Sequence, residues 1–415
     1  MAKLDDFNNI NIPVRFFRNP DVKFENNALD ELKSLLNISS TIEHLKESDK
    51  GFFSNIDACV EEVAITPDFH KGAGIPIGTV MLTQGLIIPQ AIGNDVNCGM
   101  RLYVTDLNEE AIRSVLPYLE NTIRHVFFEG GQNIPMTRIQ REALLKEGLL
   151  GLLETSNIGQ KKGLWQYYQR EQQESEIENV SSMGSMIADS VIGLDDFLGI
   201  NELSYDGQIG SIGGGNHFVE VQTVSKILDS QVANAWGLKK DQIVIMIHTG
   251  SVMIGHHSGS YFKDIVKSIY PKNLKHPDNG IYILPDSEQF INQWDMFWNL
   301  LSNAANFAFG NRLFLGLMLK RALVETIGEF DCRLLYDSPH NLVWKENIDG
   351  KSYYLHRKGA CPARSMSQMT GTKFEYYGEP VFLPGSMGSS SFVLAGLGNR
   401  QSLFSASHGA GNLSC

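Results

Sequence analysis

Five short, turn-like sequences between residues 91 and 411 each carry at least one side chain of the type that binds metal ions. They are AIGNDVNCGMRL with Asp95 and Cys98, GGGNHFVEVQ with His217, MIHTGS with His248, DSPHN with His340, and SHGAG with His408. Each of these side chains lies within two residues of Gly, Ser, Asn or Pro, a setting typical of loops rather than of packed cores. The chain is therefore predicted to fold so that distant loops assemble one site.

Composition restricts the class of protein. The 415 residues, of which 42% are hydrophobic and 20% charged, are typical of a soluble globular protein with a sizeable core. The most apolar stretch, VMLTQGLIIP, is too short to span a membrane, and the start MAKLDD lacks a signal-peptide core, so a cytoplasmic location is expected. Five scattered cysteines without a CxxC pair indicate neither a disulfide framework nor a zinc finger.

The net charge of −12 argues against a protein that coats nucleic acid through a globally basic surface. It leaves room for a local basic groove. Candidate contributors are Lys161-Lys162, Lys239-Lys240, Lys272 to Lys275 and Arg357-Lys358. Taken singly, each pair is interpreted as ordinary solvated charge.

The order of patterns predicts an α+β or complex α/β body without a regular βαβ rhythm, and the length allows one large domain or two to three ordinary ones. Helices are expected over Ala28–Leu36, 108–126 and Ser287–Ile327, the last broken into two at Gly310-Asn311. Strands are expected in VAIT, GTVML, GLIIP, MRLYV, VEVQTV and QIVIMIHTG.

Residues 130–180 form a polar, helical insertion whose role the sequence leaves open. Its aromatic and basic residues could stack on RNA bases. These residues are Trp165, Tyr167, Tyr168, Lys161 and Arg170. An amphipathic surface helix is the favoured alternative.

Asp95 and Cys98 are three residues apart in a turn flanked by Gly93 and Gly99. A tight turn could direct both into one cavity, where a thiolate can bridge two metal ions while the carboxylate binds one of them. Considered alone, the pair fits a buried structural cysteine beside a turn aspartate better.

Three histidines occupy loop or strand-end positions. His217 follows three glycines, which let backbone approach a phosphate closely, although a glycine-rich hairpin turn is the alternative. His248 ends the apolar strand Ile243 to Ile247, where side chains emerge into sites. His340 follows Pro339, and a lone loop histidine usually has no special role, so the prediction rests on the set as a whole.

Two small-residue loops near the end of the chain suit a nucleotide. PGSMGSSSFVLAG at residues 384–396 is dense in amides and hydroxyls but is not a Walker A loop, and a flexible turn is the alternative. In SHGAG, small neighbours leave His408 accessible, and a neutral imidazole can attack a nucleotide α-phosphate. A supporting base or a tail residue without a role remains the alternative.

Together these elements resemble the RtcB family of RNA ligases from about Asp68 to Gly411. PDFHKGAGIPIGTV, IGNDVNCGMRL, GGGNHFVEVQ, the His248 strand end, ANFAFGNR, PHN, PGSMGSSSFV and SHGAG follow in family order. The resemblance implies one large α+β catalytic domain over residues 1–415, with mixed or antiparallel sheets surrounded by helices. The resemblance implies a two-manganese site, with Asp95, Cys98 and His217 on one ion and Cys98, His248 and His340 on the other. Ligand chemistry alone would favour zinc.

The resemblance also implies GTP as cofactor and His408 as the residue that becomes guanylylated. The implied GTP contacts are Asn216, His217, Phe218, Val219, Glu220, His340, Asn341, Pro384, Gly385, Ser386, Met387, Ser391, His408, Gly409, Ala410 and Gly411. The implied reaction joins RNA 2′,3′-cyclic phosphate or 3′-phosphate ends to 5′-hydroxyl ends in RNA repair or tRNA splicing. RNA with broken or spliced ends, tRNA among them, is the implied substrate, and an archease-like activator is an implied partner.

Three departures from the family pattern qualify this expectation. His248 leads into Thr-Gly-Ser-Val-Met-Ile where the family has Ser-Gly-Ser-Arg-Gly, and Asn412 replaces an arginine. Family members also continue past HGAG, so the chain is expected to be truncated at its C-terminal end. The alternatives are a ligation-deficient paralogue that binds metal or RNA ends, and a metallophosphoesterase that only opens cyclic phosphates.

Overall fold

The fold is built from two compact units, each described here by itself. The computed structural model describes residues 7, 11–54, 56–130, 132–157, 162–199, 203–205, 207–386 and 388–409. Unit 1 takes its described residues from Met1–Val96, His256–Trp298 and Pro339–Cys415. Unit 2 takes them from Asn97–Gly255 and Asn299–Ser338. The single catalytic domain over residues 1–415 stays a prediction.

Helices and strands alternate irregularly along the chain. The helices are α1 (Asn26–Leu36), α2 (Ile38–Ser48), α3 (Glu109–Arg113), α4 (Leu116–Phe128), α5 (Arg138–Thr155), α6 (Arg170–Glu176), α7 (Asp195–Leu198), α8 (Ser230–Trp236), α9 (Val252–Ser268) and α10 (Ile291–Ile327). The strands are β1 (Val14–Phe16), β2 (Cys59–His70), β3 (Ile77–Gln84), β4 (Leu86–Ile87), β5 (Gly99–Asn108), β6 (Pro135–Met136), β7 (Ser204–Tyr205), β8 (Phe218–Thr223), β9 (Gln242–Thr249), β10 (Leu284–Pro285), β11 (Cys332–Pro339), β12 (Asn341–Ile348), β13 (Lys351–Lys358), β14 (Ala360–Pro362), β15 (Pro380–Leu383), β16 (Phe392–Ala395) and β17 (Ser405–Ser407).

Unit 1 is organised around a five-stranded mixed sheet in the order β1-β2-β3-β13-β12. The β1–β2 pair is parallel and the other pairs are antiparallel. Its buried face is apolar, with Val80, Leu82 and Leu355 in one cluster. A separate two-stranded ladder pairs β14 with β17, with Ala360 opposite Ser407. This ladder determines where His408 lies, directly after Ser407.

Unit 2 contains a four-stranded sheet in the order β11-β5-β9-β8. Strand β9 is central and pairs antiparallel with both β5 and β8. It is buried along most of its length, as the continuous apolar run Ile243 to Ile247 predicts. The first residues of β5 and β8 therefore meet the last residues of β9 at one end of the sheet.

Helix α10 is continuous from Ile291 to Ile327, so the predicted break at Gly310-Asn311 is wrong. Gly310 serves close packing instead, because a Cβ there would lie 2.7 Å from Cδ1 of Leu144. The Asn311 side chain accepts from the amides of Gly210 and Ser211, so its polar atoms are satisfied without ending the helix.

The helix predicted over 108–126 is two helices, α3 and α4. Pro117 lies in the first turn of α4, where its missing N–H costs least, so a new helix begins there. The helix predicted over Ala28–Leu36 is confirmed as α1, which begins two residues earlier.

The insertion at 130–180 contains α5, α6 and short 3₁₀ turns, and part of it is core. Trp165 and Tyr168 are buried, and the Trp165 indole N–H donates to the carbonyl of Pro135 at 2.6 Å. The suggestion that these two rings stack on RNA bases is therefore wrong. Lys161 lies outside the described residues, and a lid function stays untested.

The predicted α+β class with mixed and antiparallel sheets is confirmed by this architecture. Among the described residues, none of the helices combines the length and apolarity needed to cross a bilayer.

Candidate active site

The sheet register of unit 2 brings Cys98, His217 and His248 together. His248 on β9 pairs with Met100 of β5 on one side and with Phe218 of β8 on the other. Cys98 immediately precedes β5 and His217 immediately precedes β8. His217 and His248 lie 119 and 150 residues beyond Cys98 in the chain, yet all three side chains converge at one end of the sheet.

The three side chains form a compact cluster. The Cys98 Sγ atom lies 3.2 Å from His217 Nε2 and 3.3 Å from His248 Nε2. Cys98 and His248 are buried, and His217 is half-buried. One ligand atom of each residue lies within 4.8 Å of the others, so a single ion could contact all three.

Backbone hydrogen bonds fix both imidazoles in the orientation that ligation requires. His217 Nδ1 lies 3.0 Å from the carbonyl oxygen of Ile212, and His248 Nδ1 lies 3.1 Å from that of Asn216. A carbonyl oxygen only accepts, so each Nδ1 carries the proton and donates. The lone pair of each Nε2 is left facing Cys98. Ligating histidines in metalloproteins have this arrangement.

The donor set fits a divalent transition metal ion. Thiolate and imidazole nitrogen are the donors such ions prefer, and metal–ligand bonds of about 2.0–2.3 Å would place them roughly 3.5 Å apart at a tetrahedral centre. The Sγ–Nε2 distances of 3.2 and 3.3 Å are close to that spacing. The three residues thus offer part of a coordination sphere and leave positions for further ligands.

In unit 1, His408 lies in a pocket formed by β2 and the end of β13. Since Ala360 pairs with Ser407, the preceding Gly359 lies beside His408. His408 Nδ1 donates to the Gly359 carbonyl oxygen at 2.7 Å, and Asp68 Oδ2 lies 3.3 Å from the same nitrogen. His408 therefore also carries its proton on Nδ1, and Nε2 is the unprotonated nitrogen of the ring.

Burial lowers the pKa of His408, and the nearby imidazole of His70 lowers it further. The Asp68 carboxylate and the Gly359 carbonyl act in the opposite direction but do not offset the burial. The imidazole is consequently neutral at pH 7, which is the form that acts as a nucleophile.

His340, Asn341 and Asp95 also lie in unit 1, close to His408. The His340 and His408 rings have centroids 4.4 Å apart. The amide of Gly359 donates to the His340 carbonyl at 3.0 Å and to Asn341 Oδ1 at 2.8 Å, and Asn341 Nδ2 donates to the Asp95 carbonyl at 3.2 Å. The structure thus groups four predicted site residues around Gly359. Metal ligation by Asp95 and His340 stays a prediction.

The predicted GTP contacts fall in two groups. Asn216 is exposed and Phe218 to Glu220 are half-buried in unit 2. Pro384, Gly385, Ser386 and Ser391 lie in a unit 1 loop held by its own serines, since Gly385 N donates to Ser391 Oγ at 3.0 Å and Ser386 N to Ser389 Oγ at 2.8 Å. The loop is ordered by these bonds. Met387, Ala410 and Gly411 lie outside the described residues.

Two features of the site have no clear sequence signal. Asp68 contacts His408, yet it occupies an ordinary strand position in β2. Arg357 and Lys358 are buried, so their interpretation as solvated charges is wrong. Lys358 pairs with Asn341 across the β12–β13 ladder, and its ammonium donates to the Ile75 carbonyl at 2.7 Å. Burial lowers the pKa of Lys358 to about 8.

Comparison with known proteins connects these elements. A family model described as tRNA-splicing ligase RtcB matches residues 52–414. The match includes every side chain of the two clusters, from Asp68 to His408.

Individual relatives agree with the family model. The chain is 30% identical to a tRNA-splicing ligase RtcB of Thermococcus kodakarensis over 368 residues, covering 84% of this chain and 72% of the relative. It is 30% identical to one of Nanoarchaeum equitans, covering 97% and 80%. An RNA-splicing ligase RtcB of Mycobacterium tuberculosis is also 30% identical, with 84% and 79% covered.

Proposed function

The chain belongs to the RtcB family, and from this premise we propose that it is a GTP- and manganese-dependent RNA ligase. It joins RNA 2′,3′-cyclic phosphate or 3′-phosphate ends to 5′-hydroxyl ends in RNA repair or tRNA splicing. The observation that carries the proposal is the buried His408 imidazole, whose Nδ1–H donates to the Gly359 carbonyl, so that Nε2 is the unprotonated nitrogen.

The first step uses that lone pair. His408 Nε2 attacks the α-phosphorus of GTP, a P–N bond forms, the P–O bond to the β-phosphate breaks, and pyrophosphate leaves. The Gly359 carbonyl accepts from Nδ1–H, and the Asp68 carboxylate faces the same nitrogen. Both groups therefore stabilise the developing imidazolium. The His340 ring lies against the His408 ring, with centroids 4.4 Å apart and planes tilted by 41°.

In the remaining steps the RNA end is activated and joined. Water opens the cyclic phosphate to a 3′-phosphate, and an oxygen of that phosphate displaces the nucleotide from His408 to give an RNA end capped with GMP. The 5′-hydroxyl of the second RNA then attacks the 3′-phosphorus, and GMP leaves. This restores His408 with its proton on Nδ1.

Cys98, His217 and His248 would hold a divalent ion. Such an ion neutralises charge on a transferring phosphoryl group. Family resemblance supports manganese as the ion, Asp95 and His340 as further ligands, and GTP contacts by residues 216–220 and 384–391. A cytoplasmic location and an archease-like activator are further parts of the proposal.

The proposal is tested by guanylylation of the purified protein. After incubation with manganese and α-labelled GTP, we expect the label to remain on the denatured protein as an acid-labile, base-stable adduct. Incubation with γ-labelled GTP should leave no label on the protein. His408→Ala should abolish the adduct, whereas His125→Ala, at an exposed histidine on α4, should keep it.

RNA assays separate the alternatives. Joining of a 2′,3′-cyclic phosphate end to a 5′-hydroxyl end supports the ligase. Opening of the cyclic phosphate without adduct or joining would indicate a metallophosphoesterase. Metal binding without either activity would indicate a ligation-deficient paralogue, and both of these results contradict the proposal.

A further inference from the structure

Helix α10 presents two adjacent polar residues, Asn311 and Arg312, to the backbone that carries the Cys98, His217 and His248 cluster. Both side chains are fully buried within unit 2. Neither could act as a metal ligand through its guanidinium or amide nitrogens. Their hydrogen bonds nevertheless reach the residues next to Cys98 and His248, and the segment that ends at the carbonyl bonded by His217.

Arg312 joins two of the three cluster segments. Its Nη1 donates to the carbonyl of Asn97 at 2.7 Å and to the carbonyl of Thr249 at 3.0 Å. Asn97 directly precedes Cys98, and Thr249 directly follows His248. One nitrogen therefore ties the backbone beside the thiol to the backbone beside the imidazole.

The Asn97 segment is held at a second point. Asn97 has φ +54°, a left-handed conformation that asparagine tolerates better than most residues other than glycine. Its side chain is anchored separately, since Asn97 Nδ2 donates to the Ala305 carbonyl of α10 at 2.6 Å. Helix α10 thus holds both the side chain and the carbonyl of the residue that orients Cys98.

Asn311 supports the third segment. Its Oδ1 accepts from the amides of Gly210 and Ser211 at 2.8 and 3.0 Å, and its Nδ2 donates to the Ser211 carbonyl at 2.8 Å. The next residue is Ile212, whose carbonyl accepts from His217 Nδ1. The Thr249 hydroxyl donates to the same carbonyl at 2.7 Å.

Asp337 fixes the orientation of the Arg312 guanidinium group. Its carboxylate lies within 2.9 to 3.1 Å of Arg312 Nε and 2.9 Å of Arg312 Nη2, and it also accepts from Arg101 Nη1 at 3.1 Å. With Nε held by the carboxylate, the planar guanidinium directs Nη1 toward the two carbonyls.

We propose that Asn311 and Arg312 are positioning residues for the metal centre, which set the geometry of Cys98, His217 and His248 through the adjacent backbone. The inference rests on the proposed metal site. It goes beyond that site by assigning a role to the NR pair of ANFAFGNR, which contacts neither the ion nor the substrates. A purely structural role would stabilise the fold without affecting the ion.

The chain offers a matched control for each residue. Arg101 is equally buried and shares Asp337, but its Nε donates to the Tyr103 hydroxyl at 2.7 Å and it bonds none of the cluster's backbone. Asn306 is a buried asparagine on the same helix, and it binds the backbone of Met186 and Leu145 instead. Arg101→Lys and Asn306→Ala therefore lose comparable buried bonds away from the three segments.

The experiment is anaerobic titration of the apoprotein with Co²⁺, followed by the thiolate-to-cobalt charge-transfer absorption. We expect Arg312→Lys and Asn311→Ala to bind Co²⁺ roughly 10–100-fold more weakly, the usual effect of losing groups that orient ligands, and to show a weakened or shifted band. Arg101→Lys and Asn306→Ala should retain the wild-type affinity and band. Thermal unfolding of all apoproteins measures the purely structural cost.

The outcomes are distinct. If the wild-type protein gives no charge-transfer band, the metal site itself is wrong and the inference fails with it. If the wild type binds but the Asn311 and Arg312 variants match their controls in affinity and band, the inference alone is overturned. Should Arg312→Lys not fold, Asn311→Ala against Asn306→Ala decides the question by the same criteria.

Discussion

The Nδ1 atom of His408 donates to the carbonyl oxygen of Gly359 across 2.7 Å. His217 and His248 make the same type of bond, to Ile212 and Asn216. In each case a main-chain carbonyl fixes the tautomer and leaves the Nε2 lone pair for chemistry. The proposed metal ligands and the proposed nucleophile thus share one hydrogen-bond arrangement.

Asp68 is expected to tune that nucleophile. Asp68→Asn removes the carboxylate 3.3 Å from His408 Nδ1 while keeping the side chain's size, so the imidazolium formed during attack loses a counter-charge. We expect the rate of guanylylation to fall on the order of 10-fold, with metal affinity unchanged. Single-turnover labelling with α-labelled GTP measures the rate. An unchanged rate would show that the Gly359 carbonyl suffices.

Gly409 is expected to act through Asp68. A Cβ at this position would lie 2.5 Å from Asp68 Oδ2, and the buried aspartate has little room to move. Gly409→Ala should therefore displace the carboxylate and slow guanylylation about as much as Asp68→Asn does.

A double variant tests that coupling by the same labelling assay. If Gly409→Ala acts by moving Asp68, adding it to Asp68→Ala should cost little further rate. Additive losses would instead mean that the methyl group interferes with the nucleotide or with His408 directly.

Local sequence predicts the ligands better than it predicts their geometry. His248 and Phe218 are recognisable at a strand end and a strand start, since apolar runs adjoin small residues. Their pairing in register depends on tertiary packing of segments far apart in the chain, which no local pattern contains. The convergence of Cys98, His217 and His248 therefore needed the structure.

Residues that act through a neighbour were the hardest to find. Asp68 lies inside a strand, and its local sequence does not show that it contacts His408. Lys358 belongs to a charged pair, which composition alone assigns to the solvent-exposed surface. Gly310 was interpreted as a helix break because glycine weakens helices, whereas its absent side chain admits Leu144. In these cases a distant contact outweighed the local preference.

Metal binding is expected to stabilise the protein through Cys98. An ion that binds only the folded state at about 100 times its Kd raises the free energy of unfolding by about 2.7 kcal/mol. Adding manganese to chelator-treated protein should therefore raise the Tm, and Cys98→Ser should remove most of this increase. Cys332→Ser, at a half-buried cysteine at the start of β11, is the control and should retain the increase in Tm. Equal responses of the two variants would place the stabilising ion elsewhere.

His356 is expected to make the fold sensitive to acid. The ring is fully buried, its Nε2 accepts from the amide of Ile88 at 3.0 Å, and burial lowers its pKa to about 4. Because the folded pKa lies below the ordinary value near 6.5, the unfolded chain binds the proton first as the pH falls. The contribution to stability is thus complete above about pH 6.5 and is lost progressively down to about pH 4, by roughly 3 kcal/mol in total.

His356→Gln removes the titration and retains an acceptor for Ile88. The free energy of unfolding of this variant, from denaturant titrations at pH values between 4 and 7.5, should fall less steeply with acid than that of the wild type. His44→Gln, at an exposed histidine on α2, should follow the wild-type curve. If His356→Gln has the same acid dependence as the wild type, His356 is not the group that titrates, and protonation of other buried groups must account for the loss.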